Sequence, residues 1–399
     1  ENNVGKNVRR DINVKRKINI ALVGSGAMGR AHSAAVANLR YCYKNLPFEP
    51  VLHTLVTGDP EKAPEKASEL GFKCYTDSLE KAVSDENIDV VDICTPNMCH
   101  YEQVKTALEN GKNVLCEKPL AVNASQAKEL EMLAGKSGKI CGVVFNNRHL
   151  PAAIRARQLV SEGKLGRIIS FRSAYLHSSS TDPQKPAGWK QNKDICGGGV
   201  LFDLGSHAID LLNFVLGPDK VNKIASLTGL SQIAYPVRAG QNGEKWCTNA
   251  DEAFYITARL EGGACGTVEV SKVCVGANDD FTLDIYGTNG ALKFNLMNPN
   301  YLYFYDAARP ASPNGGDRGF TAIECVNRYD IPESVFPGMR APIGWFRGHI
   351  HGMYEYLSAV HENRHFYPDF SDGAYVNLIM EKAYLSDSER REVTVETDC

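Results

Sequence analysis

The chain has 399 residues, of which 43% are hydrophobic and 23% are charged, and its formal net charge is −3. This length suffices for two domains with sizeable cores, and the composition is that of an ordinary globular protein. Because the charge is nearly balanced, nothing indicates a nucleic-acid partner or an anionic membrane surface. No run of about 18 uncharged apolar residues occurs, so we expect no transmembrane helix.

Twelve cysteines are scattered along the chain without the Cys/His spacing of a zinc site. Several, such as Cys94 and Cys116, lie in apolar runs, where cysteine behaves as a small buried hydrophobe. This usage predicts free thiols, a reducing compartment and no metal.

Residues 1–17 form a polar, basic extension in which Arg9 and Arg10 are not followed by an apolar signal segment. We therefore expect a cytoplasmic protein.

Short apolar runs alternate with helix-like stretches between residues 18 and 145. The runs are INIALV, VLHTLV, DVVDIC, NVLC and ICGVVF. Continuous apolar strands that alternate with helices are typical of a parallel sheet covered on both faces. The pattern predicts a doubly wound α/β domain of the Rossmann type over residues 18–145.

After residue 145 the pattern changes to helices followed by consecutive strands. A helix-like segment, VLFDLGSHAIDLLNFVLG, precedes strands such as EAFYITARL and FTLDIYG, and Asn289–Gly290 signals a tight hairpin. Residues 146–399 are therefore predicted to form an α+β domain with an open, mainly antiparallel sheet. The loop-rich stretch 306–345 is expected to cover a site and to set substrate size. Residues 346–360 have the apolar spacing of a helix.

The motif Gly24-x-Gly26-x-x-Gly29 follows the first strand and opens a helix-like run. In this context Gly24 allows a tight turn, Gly26 lets the backbone approach a pyrophosphate, and Gly29 allows close packing of helix on strand. The N-terminus of the helix offers N–H groups and a positive dipole end to phosphates. A turn that needs glycines and binds nothing is the alternative, but the repeating βα pattern favours dinucleotide binding.

The second strand ends in LVTGDPEKA, where an acid would accept hydrogen bonds from the adenine ribose of NAD. Thr57 stands at the expected position of that acid, and Asp59 lies two residues later. No arginine follows to bind a 2′-phosphate, although Lys62 is near, so the sequence favours NAD over NADP. Alternatively, Asp59 is only the cap of a helix that starts at Pro60.

Two turns at the ends of later strands carry polar residues, CTPNMCH at 94–100 and CEKPL at 116–120. Ligands of open parallel sheets bind beyond the carboxyl ends of the strands, so both turns should face the cofactor cleft. A lysine in such a turn is usually a solvated charge. Next to a bound nicotinamide, however, the ammonium of Lys118 would polarise a substrate oxygen.

The segment GGGVLFDLGSHAIDLL places Asp203 and His207 four residues apart, on one face of a helix, with Asp210 a turn further along. A histidine of ordinary pKa accepts a hydroxyl proton near neutral pH. The alternative is a buried histidine that is satisfied by a neighbouring aspartate.

Together the motifs GSGAMGRAH, TPNMCH, CEKPLA, GGGVLFDLGSHAIDLL and DFSDGAYVNLIMEKAYLSDSERREVTV resemble those of the Gfo/Idh/MocA oxidoreductase family over about residues 18–396. The resemblance implies a dinucleotide-binding domain, an α+β domain whose open sheet mediates homo-oligomers, and an NAD cofactor. An enzyme that recycles its cofactor within each reaction would hold this NAD tightly. It implies a catalytic set of Lys118, Asp203 and His207. Residues implied to line the cofactor are Ala27, Met28, Thr95, Pro96, Asn97, His100, Glu117 and Trp189. The chain departs from the family where Lys190 replaces a frequent arginine and Thr57 replaces the acid.

The fragments FNNRHLPAA, SFRSAYLHSS and GWK are similar to the branch of this family that contains levoglucosan dehydrogenase and glucoside 3-dehydrogenases. The similarity implies that Asn147, Arg148, Tyr175 and His177 lie near the substrate, with Lys118 and His207. A strand rich in aromatic and polar side chains also offers stacking faces and donors to a sugar, although cross-strand pairing alone would explain it.

These observations predict an enzyme that reversibly oxidises a secondary hydroxyl, at C3, of a sugar, glycoside or cyclitol. His207 would remove the proton, Lys118 would stabilise the oxygen, and Asp203 would orient the histidine or hold a neighbouring hydroxyl. Two alternatives stay open. One is a lyase or epimerase that recycles a retained NAD, and the other is a non-catalytic dinucleotide-binding regulator, which the presence of all three residues disfavours.

Overall fold

The computed structural model describes residues 15–330 and 332–396. Residues 1–14 of the predicted polar extension therefore lie outside the described part of the chain, and the first strand already begins at Arg16.

The first half of the chain forms a six-stranded parallel sheet with helices on both faces. Its elements are β1 (Arg16–Val23), α1 (Ala27–Cys42), β2 (Phe48–Val56), α2 (Ala63–Leu70), β3 (Cys74–Thr76), α3 (Leu79–Ser84), β4 (Val90–Ile93), α4 (His100–Glu109), β5 (Asn113–Glu117), α5 (Ala124–Ser137) and β6 (Cys141–Val144). The strand order is β3-β2-β1-β4-β5-β6, with every pair parallel. This order confirms the predicted Rossmann-type domain.

The second half contains helices and a large open sheet. Its elements are α6 (Pro151–Ser161), β7 (Ile168–Leu176), α7 (Lys193–Cys196), α8 (Ser206–Leu216), β8 (Ile224–Gln232), β9 (Val237–Ala239), β10 (Lys245–Cys247), β11 (Ala253–Leu260), β12 (Cys265–Ser271), β13 (Asp280–Gly287), β14 (Gly290–Asn295), β15 (Tyr301–Asp306), β16 (Phe320–Glu324), α9 (Phe346–Glu362), α10 (Phe370–Glu389) and β17 (Val393–Thr394). A π-helical turn, Leu201–Gly205, leads directly into α8.

The large sheet has nine strands in the order β16-β15-β14-β13-β7-β12-β11-β8-β17. Its described pairs are antiparallel except β7 with β12, so the predicted mainly antiparallel sheet is confirmed. The hairpin between β13 and β14 turns at Thr288 and Asn289, where the Asn-Gly pair indicated it. Along β11 buried and exposed residues alternate, as expected for a sheet with one covered face.

Helix α9 belongs to the C-terminal end of the chain but packs on the first sheet. Its Ile350 and Leu357 share a buried cluster with Ile18 of β1 and Leu115 of β5, and α1 completes the cluster. One face of the parallel sheet is therefore covered by its own α1 and by a helix from the end of the chain.

The opposite face of the parallel sheet is continuous with the core of the second half. Val114 of β5 and Val143 of β6 belong to one buried cluster that also contains Ile209 of α8, Met380 of α10 and Leu283 of β13. The two sheets are thus joined through a shared hydrophobic core, and this fixes the cleft between them.

The helical stretch Lys193–Leu216 is long and apolar enough to cross a membrane by length and composition. However, 78% of its apolar window is buried inside the protein, which is the position of a core helix. None of the eleven described cysteines takes part in a disulfide.

Candidate active site

A cavity of about 1000 Å³ lies between the carboxyl ends of the parallel strands and the start of α8. One end is lined by the glycine turn after β1, and the other by Lys118, Asp203 and His207. The strand order reverses between β1 and β4, and ligands of open α/β sheets bind at such a point. The cavity therefore combines a dinucleotide site with a set of reactive side chains.

The glycine turn has the geometry that a bound pyrophosphate requires. Gly24 has φ +98°, and a Cβ there would lie 2.7 Å from the carbonyl oxygen of Cys94. A Cβ on Gly29 would lie 2.2 Å from the carbonyl oxygen of Gly24. Around Gly26, which caps α1 without a side-chain hydrogen bond, a Cβ would meet no atom within 4 Å. The N-terminus of α1 is therefore open to the cavity, and the residues present fit a dinucleotide. Ala27 and Met28 also line the cavity.

At the end of β2 the cavity is lined by Thr57, whose hydroxyl lies 3.4 Å from that of Ser25. Asp59 does not line the cavity. Its carboxylate accepts a hydrogen bond from the N–H of Lys62 and pairs with two surface lysines. The following helix begins at Ala63 and not at Pro60, so Asp59 is a turn residue ahead of that helix.

The carboxylate on this part of the cavity wall is Asp77, which no motif in the sequence indicated. Asp77 follows Thr76, and the carbonyl oxygen of Thr76 accepts a hydrogen bond from the N–H of Thr57. The acid that is absent from the end of β2 is therefore matched by one at the end of β3.

The turns after β4 and β5 line the middle of the cavity with Thr95, Pro96, Asn97 and Glu117, as the resemblance implied. The amide of Asn97 donates to the carbonyl oxygen of Cys196, which ties this turn to α7. His100 is fully buried and does not line the cavity. Its ring nitrogens lie 2.8 Å from the carbonyl oxygen of Pro119 and 2.9 Å from that of Thr95. His100 therefore braces the two turns and does not face the cofactor cleft.

Asp203 lies among three lysines. Lys118 Nζ is 3.3 Å from its Oδ1, Lys190 Nζ is 2.9 Å from Oδ1, and Lys272 Nζ is 2.7 Å from Oδ2. Burial would raise the pKa of Asp203, but the three ammonium groups hold it well below the ordinary value. Burial lowers the pKa of Lys118, and Asp203 opposes that shift. Asp203 is thus ionised and serves as the anion that holds these lysines in place.

His207 is placed by aromatic packing and not by an acid. Its ring makes edge contacts with Phe145 and Tyr175, at centroid distances of 6.2 Å and 6.1 Å. Its Nδ1 is buried without a hydrogen-bond partner among the described residues. Burial and the nearby Lys118 lower its pKa to about 3, so the imidazole is neutral at physiological pH. The expectation that Asp203 orients His207 is therefore not supported by a hydrogen bond.

A second polar group faces the same end of the cavity. The hydroxyl of Tyr175 donates to Asp279 Oδ1 at 2.6 Å, and His177 Nε2 lies 2.8 Å from the same oxygen. Burial would raise the pKa of Asp279, but these two hydrogen bonds bring it below the ordinary value. Tyr175, His177 and Asp279 thus form a fixed wall with one carboxylate at its centre.

Asn147 and Arg148, which the branch similarity implied to be near the substrate, do not line the cavity; Asn146 does. Arg148 is buried, donates through Nε and Nη2 to Asp210 of α8, and also binds Asp372 of α10. Its role is to clamp two helices, and Asp210 is part of that clamp rather than of the catalytic face.

Other lining residues were not found from the sequence. The polar and aromatic ones include Asp77, Gln103, Asn146, Asp279, Trp345 and His349, whereas Lys190 was noted only as a departure from the family pattern. Asp279 lies directly before β13, at the end of a strand-linking turn, and this position is the one sequence signal that points to it. Of the described residues in the loop-rich stretch 306–345, Trp345 alone lines the cavity, so this stretch does not cover the site as expected. Trp189 lines it and is 37% exposed.

Two family models match the chain. Residues 18–145 match the oxidoreductase family with an NAD-binding Rossmann fold, and residues 153–293 match the Gfo/Idh/MocA C-terminal domain. The chain belongs to the Gfo/Idh/MocA oxidoreductase family. The family resemblance and the predicted NAD cofactor are thereby confirmed, and the site described above is that of a Gfo/Idh/MocA oxidoreductase.

Individual members of the Gfo/Idh/MocA family are similar along most of the chain. Levoglucosan dehydrogenase of Pseudarthrobacter phenanthrenivorans is 32% identical over 373 residues, which cover 91% of this chain and 94% of that protein. D-glucoside 3-dehydrogenase of Escherichia coli is 30% identical over 254 residues, covering 63% and 66% of the two chains. The structure of levoglucosan dehydrogenase with NADH and L-sorbose superposes with a TM-score of 0.90 at 31% identity, covering 96% of this chain and 100% of the other.

Proposed function

We propose that this protein catalyses the reversible, NAD-dependent oxidation of a secondary hydroxyl of a sugar, glycoside or cyclitol, with C3 as the preferred position. One observation carries the proposal: the dinucleotide cradle at residues 24–28 and the group Lys118, Asp203 and His207 line a single cavity. Similar proteins named levoglucosan dehydrogenase and D-glucoside 3-dehydrogenase support a carbohydrate substrate and the C3 position.

His207 and Lys118 have different roles in the transfer of the hydroxyl proton. NAD, when bound, supplies the hydride acceptor. His207 is neutral and lines the cavity, so its imidazole is free to take the proton of the reacting hydroxyl. Its pKa of about 3 makes it a weaker base than the ordinary histidine that the sequence suggested, so the step depends on Lys118 as well. The ammonium of Lys118 donates to the same oxygen and stabilises the negative charge that develops as the proton leaves.

The remaining polar groups hold the substrate and Lys118 in place. Asp203 fixes the ammonium of Lys118 through its carboxylate and its main-chain carbonyl oxygen. Asp279 keeps one carboxylate oxygen for a sugar hydroxyl, since Tyr175 and His177 both bind Oδ1. Aromatic and polar side chains on the cavity wall match the mixed apolar and hydroxyl surface of a pyranose.

The proposal is tested by following NADH absorbance while glucosides, free sugars and inositols are added to the purified protein. One sample receives NAD, one NADP and one no cofactor. Turnover to many equivalents with NAD supports a dehydrogenase, and the site of oxidation in the product reports on C3. A change of one equivalent without added cofactor would instead indicate a retained NAD that is recycled. No signal in any sample, with NAD binding shown separately, would contradict an enzymatic function.

We further propose that copies of the chain associate through the exposed face of the nine-stranded sheet. Leu230 of β8 and Tyr255 of β11 are 61% and 38% exposed on that sheet. Light scattering of the protein and of a Leu230→Lys, Tyr255→Lys variant tests this, because a monomeric variant is expected. A cytoplasmic location stays a prediction.

A further inference from the structure

A second cavity of about 420 Å³ adjoins the active-site cavity; we call it the side cavity. The two share Asp203, Trp189 and Lys190 on their common wall. The side cavity extends from there to Lys272 and Lys185 and is large enough for a small ligand or for one part of a larger one. A molecule that reaches His207 can therefore extend past Asp203 into the side cavity.

The lining of the side cavity is strongly cationic. Four cationic side chains line it, Lys185, Lys190, Arg238 and Lys272, and among the described lining residues Asp203 is the single carboxylate. The charge of Arg238 is compensated by Glu252, whose carboxylate accepts a hydrogen bond from Arg238 Nε at 2.8 Å. Lys190 and Lys272, by contrast, share the single carboxylate of Asp203.

Asp203 cannot balance the lysines around it. Its two oxygens already bind Lys118, Lys190 and Lys272. The Glu117 carboxylate also acts to raise the pKa of Lys118 and of Lys190, so three ammonium groups face two carboxylates. Lys272 is 8% exposed, and its side chain has little access to water that would otherwise screen the charge. Lys185, at the outer part of the side cavity, forms no ion pair among the described residues.

Lys185 and Lys190 are exposed, so the ammonium that is shielded from water is that of Lys272, which shares Asp203 with two other lysines. An anion bound beside Lys185, Lys190 and Lys272 would pair with them directly and offset their mutual repulsion. Each ammonium has three donors, so Lys272 and Lys190 can bind Asp203 and a second acceptor at once. A neutral glycoside would offer the remaining donors of these lysines only hydroxyl oxygens, whereas an anionic group would offer a charged acceptor.

From this arrangement we propose that the substrate carries an anionic group, a carboxylate or a phosphate, that binds Lys185, Lys190 and Lys272 in the side cavity while the reacting hydroxyl lies at His207. This inference rests on the proposed function and deepens it, since it replaces a general carbohydrate by an acidic one such as a hexuronic acid or a sugar phosphate.

Equilibrium binding tests the inference without requiring turnover. Calorimetry on protein saturated with NADH compares glucose, glucuronate and glucose 6-phosphate. One or both anionic sugars are expected to bind at least about tenfold more tightly than glucose, with an advantage that shrinks as salt rises. The glucuronate and phosphate samples distinguish the two sources of negative charge.

Two substitutions locate the anion. Lys185→Met is expected to weaken binding of the anionic sugar several-fold and to leave the Kd of glucose unchanged, while Lys272→Gln is expected to weaken anion binding further. Glu244→Gln, on the loop before β10, serves as a control that should change neither. Glu244 accepts a hydrogen bond from the N–H of Asn242 and does not line the side cavity, so its substitution removes a nearby charge without changing the proposed anion site.

The inference is overturned if glucose binds as tightly as both anionic sugars, or if neither lysine substitution changes their relative affinity. Either result would leave the proposed function standing, provided that neutral sugars are turned over with NAD. Conversely, selective binding of an anionic sugar without turnover would support the side cavity and contradict the dehydrogenase assignment.

Discussion

The ammonium of Lys118 lies 2.8 Å from the main-chain carbonyl oxygen of Asp203 and 3.3 Å from its Oδ1. The lysine that was expected to act on the substrate oxygen is therefore held by the residue that was expected to orient His207. Asp203 acts through Lys118, and it is a positioning residue for that ammonium.

Asp203→Asn should lower kcat and shift the basic limb of the pH–rate profile to lower pH. The pKa of Lys118 is already lowered by burial, and the Asp203 carboxylate is the main group that raises it. Without that charge, Lys118 loses its proton at a lower pH. Kinetics between neutral and alkaline pH measure the shift, with Asp59→Asn as the control, since that carboxylate pairs with surface lysines. An unchanged profile would contradict this role of Asp203.

His207→Ala should reduce kcat by about 10²–10⁴-fold, the usual contribution of a general base. The Kd for NAD is expected to change little, because the cradle around Gly26 is formed by other residues. Steady-state kinetics and cofactor titration measure the two effects. His365→Ala, at an exposed histidine that pairs with Asp369, is the matched control. Normal turnover by His207→Ala would remove it from the mechanism.

Two alanine substitutions in the glycine turn should have different consequences. Gly29→Ala puts a Cβ 2.2 Å from a carbonyl oxygen, so it should lower Tm as well as NAD affinity. Gly26→Ala meets no atom within 4 Å, so the fold should be unaffected while the pyrophosphate is excluded. Thermal unfolding and NAD titration separate the effects. Equal NAD affinity of Gly26→Ala and the wild type would place the pyrophosphate elsewhere.

Asp77→Asn should weaken NAD binding by about tenfold, which is the expected loss of a hydrogen bond to a charged acceptor. Asp77 lines the cavity beside Thr57, where the adenine ribose is expected, whereas Asp59 does not. Fluorescence titration with NADH compares Asp77→Asn with Asp59→Asn. A larger loss in Asp59→Asn would restore the assignment made from the sequence.

Several buried histidines should make the protein sensitive to mild acid. Burial lowers the pKa of His149 and His349 to about 3, and that of His351 well below its usual value. In the unfolded chain these groups bind protons below about pH 6.5, so stability is present above that pH and is lost as pH falls. Each of these histidines lowers the free energy of unfolding by up to about 1.4 kcal/mol for every pH unit below that point. His32 has the opposite sign, because its pKa is raised by Asp92 despite burial.

Urea unfolding at pH 7.5 and 5.5 measures this linkage, as a fall in the free energy of unfolding at the lower pH. His149→Gln should reduce the dependence on pH, whereas His365→Gln, at an exposed site, should not. An unchanged dependence on pH in His149→Gln would contradict the role given to His149.

The sequence predicted the parallel sheet well because its strands are continuous apolar runs with helices between them. It misplaced Asn147 and Arg148 because residues 146–149 form a 3₁₀ turn, in which neighbouring side chains point about a third of a turn apart. It is Asn146 that faces the cavity, and Arg148 points to Asp210 and Asp372, which are distant in sequence. Local pattern carries no information on such partners.

Lys272 is a second residue whose place in the site could not be predicted from the local sequence. A lysine after a strand is usually a solvated charge, and nothing in its neighbours indicates that it lies 2.7 Å from Asp203. Likewise, the helical spacing of residues 346–360 predicted α9 but not the surface on which it packs. Tertiary contacts decide both cases, and they depend on residues far apart in the chain.

The docking of α9 on the parallel sheet has a consequence for biosynthesis. The strands of that sheet leave the ribosome first, but the helix that covers Ile18 and Leu115 is made only after residue 346. Throughout most of translation, therefore, an apolar surface of the nascent cofactor domain lacks its cover. Chains that stop before α9 would keep that surface exposed, so nonsense or frameshift products should be recognised by chaperones and proteases rather than survive as isolated dinucleotide-binding domains.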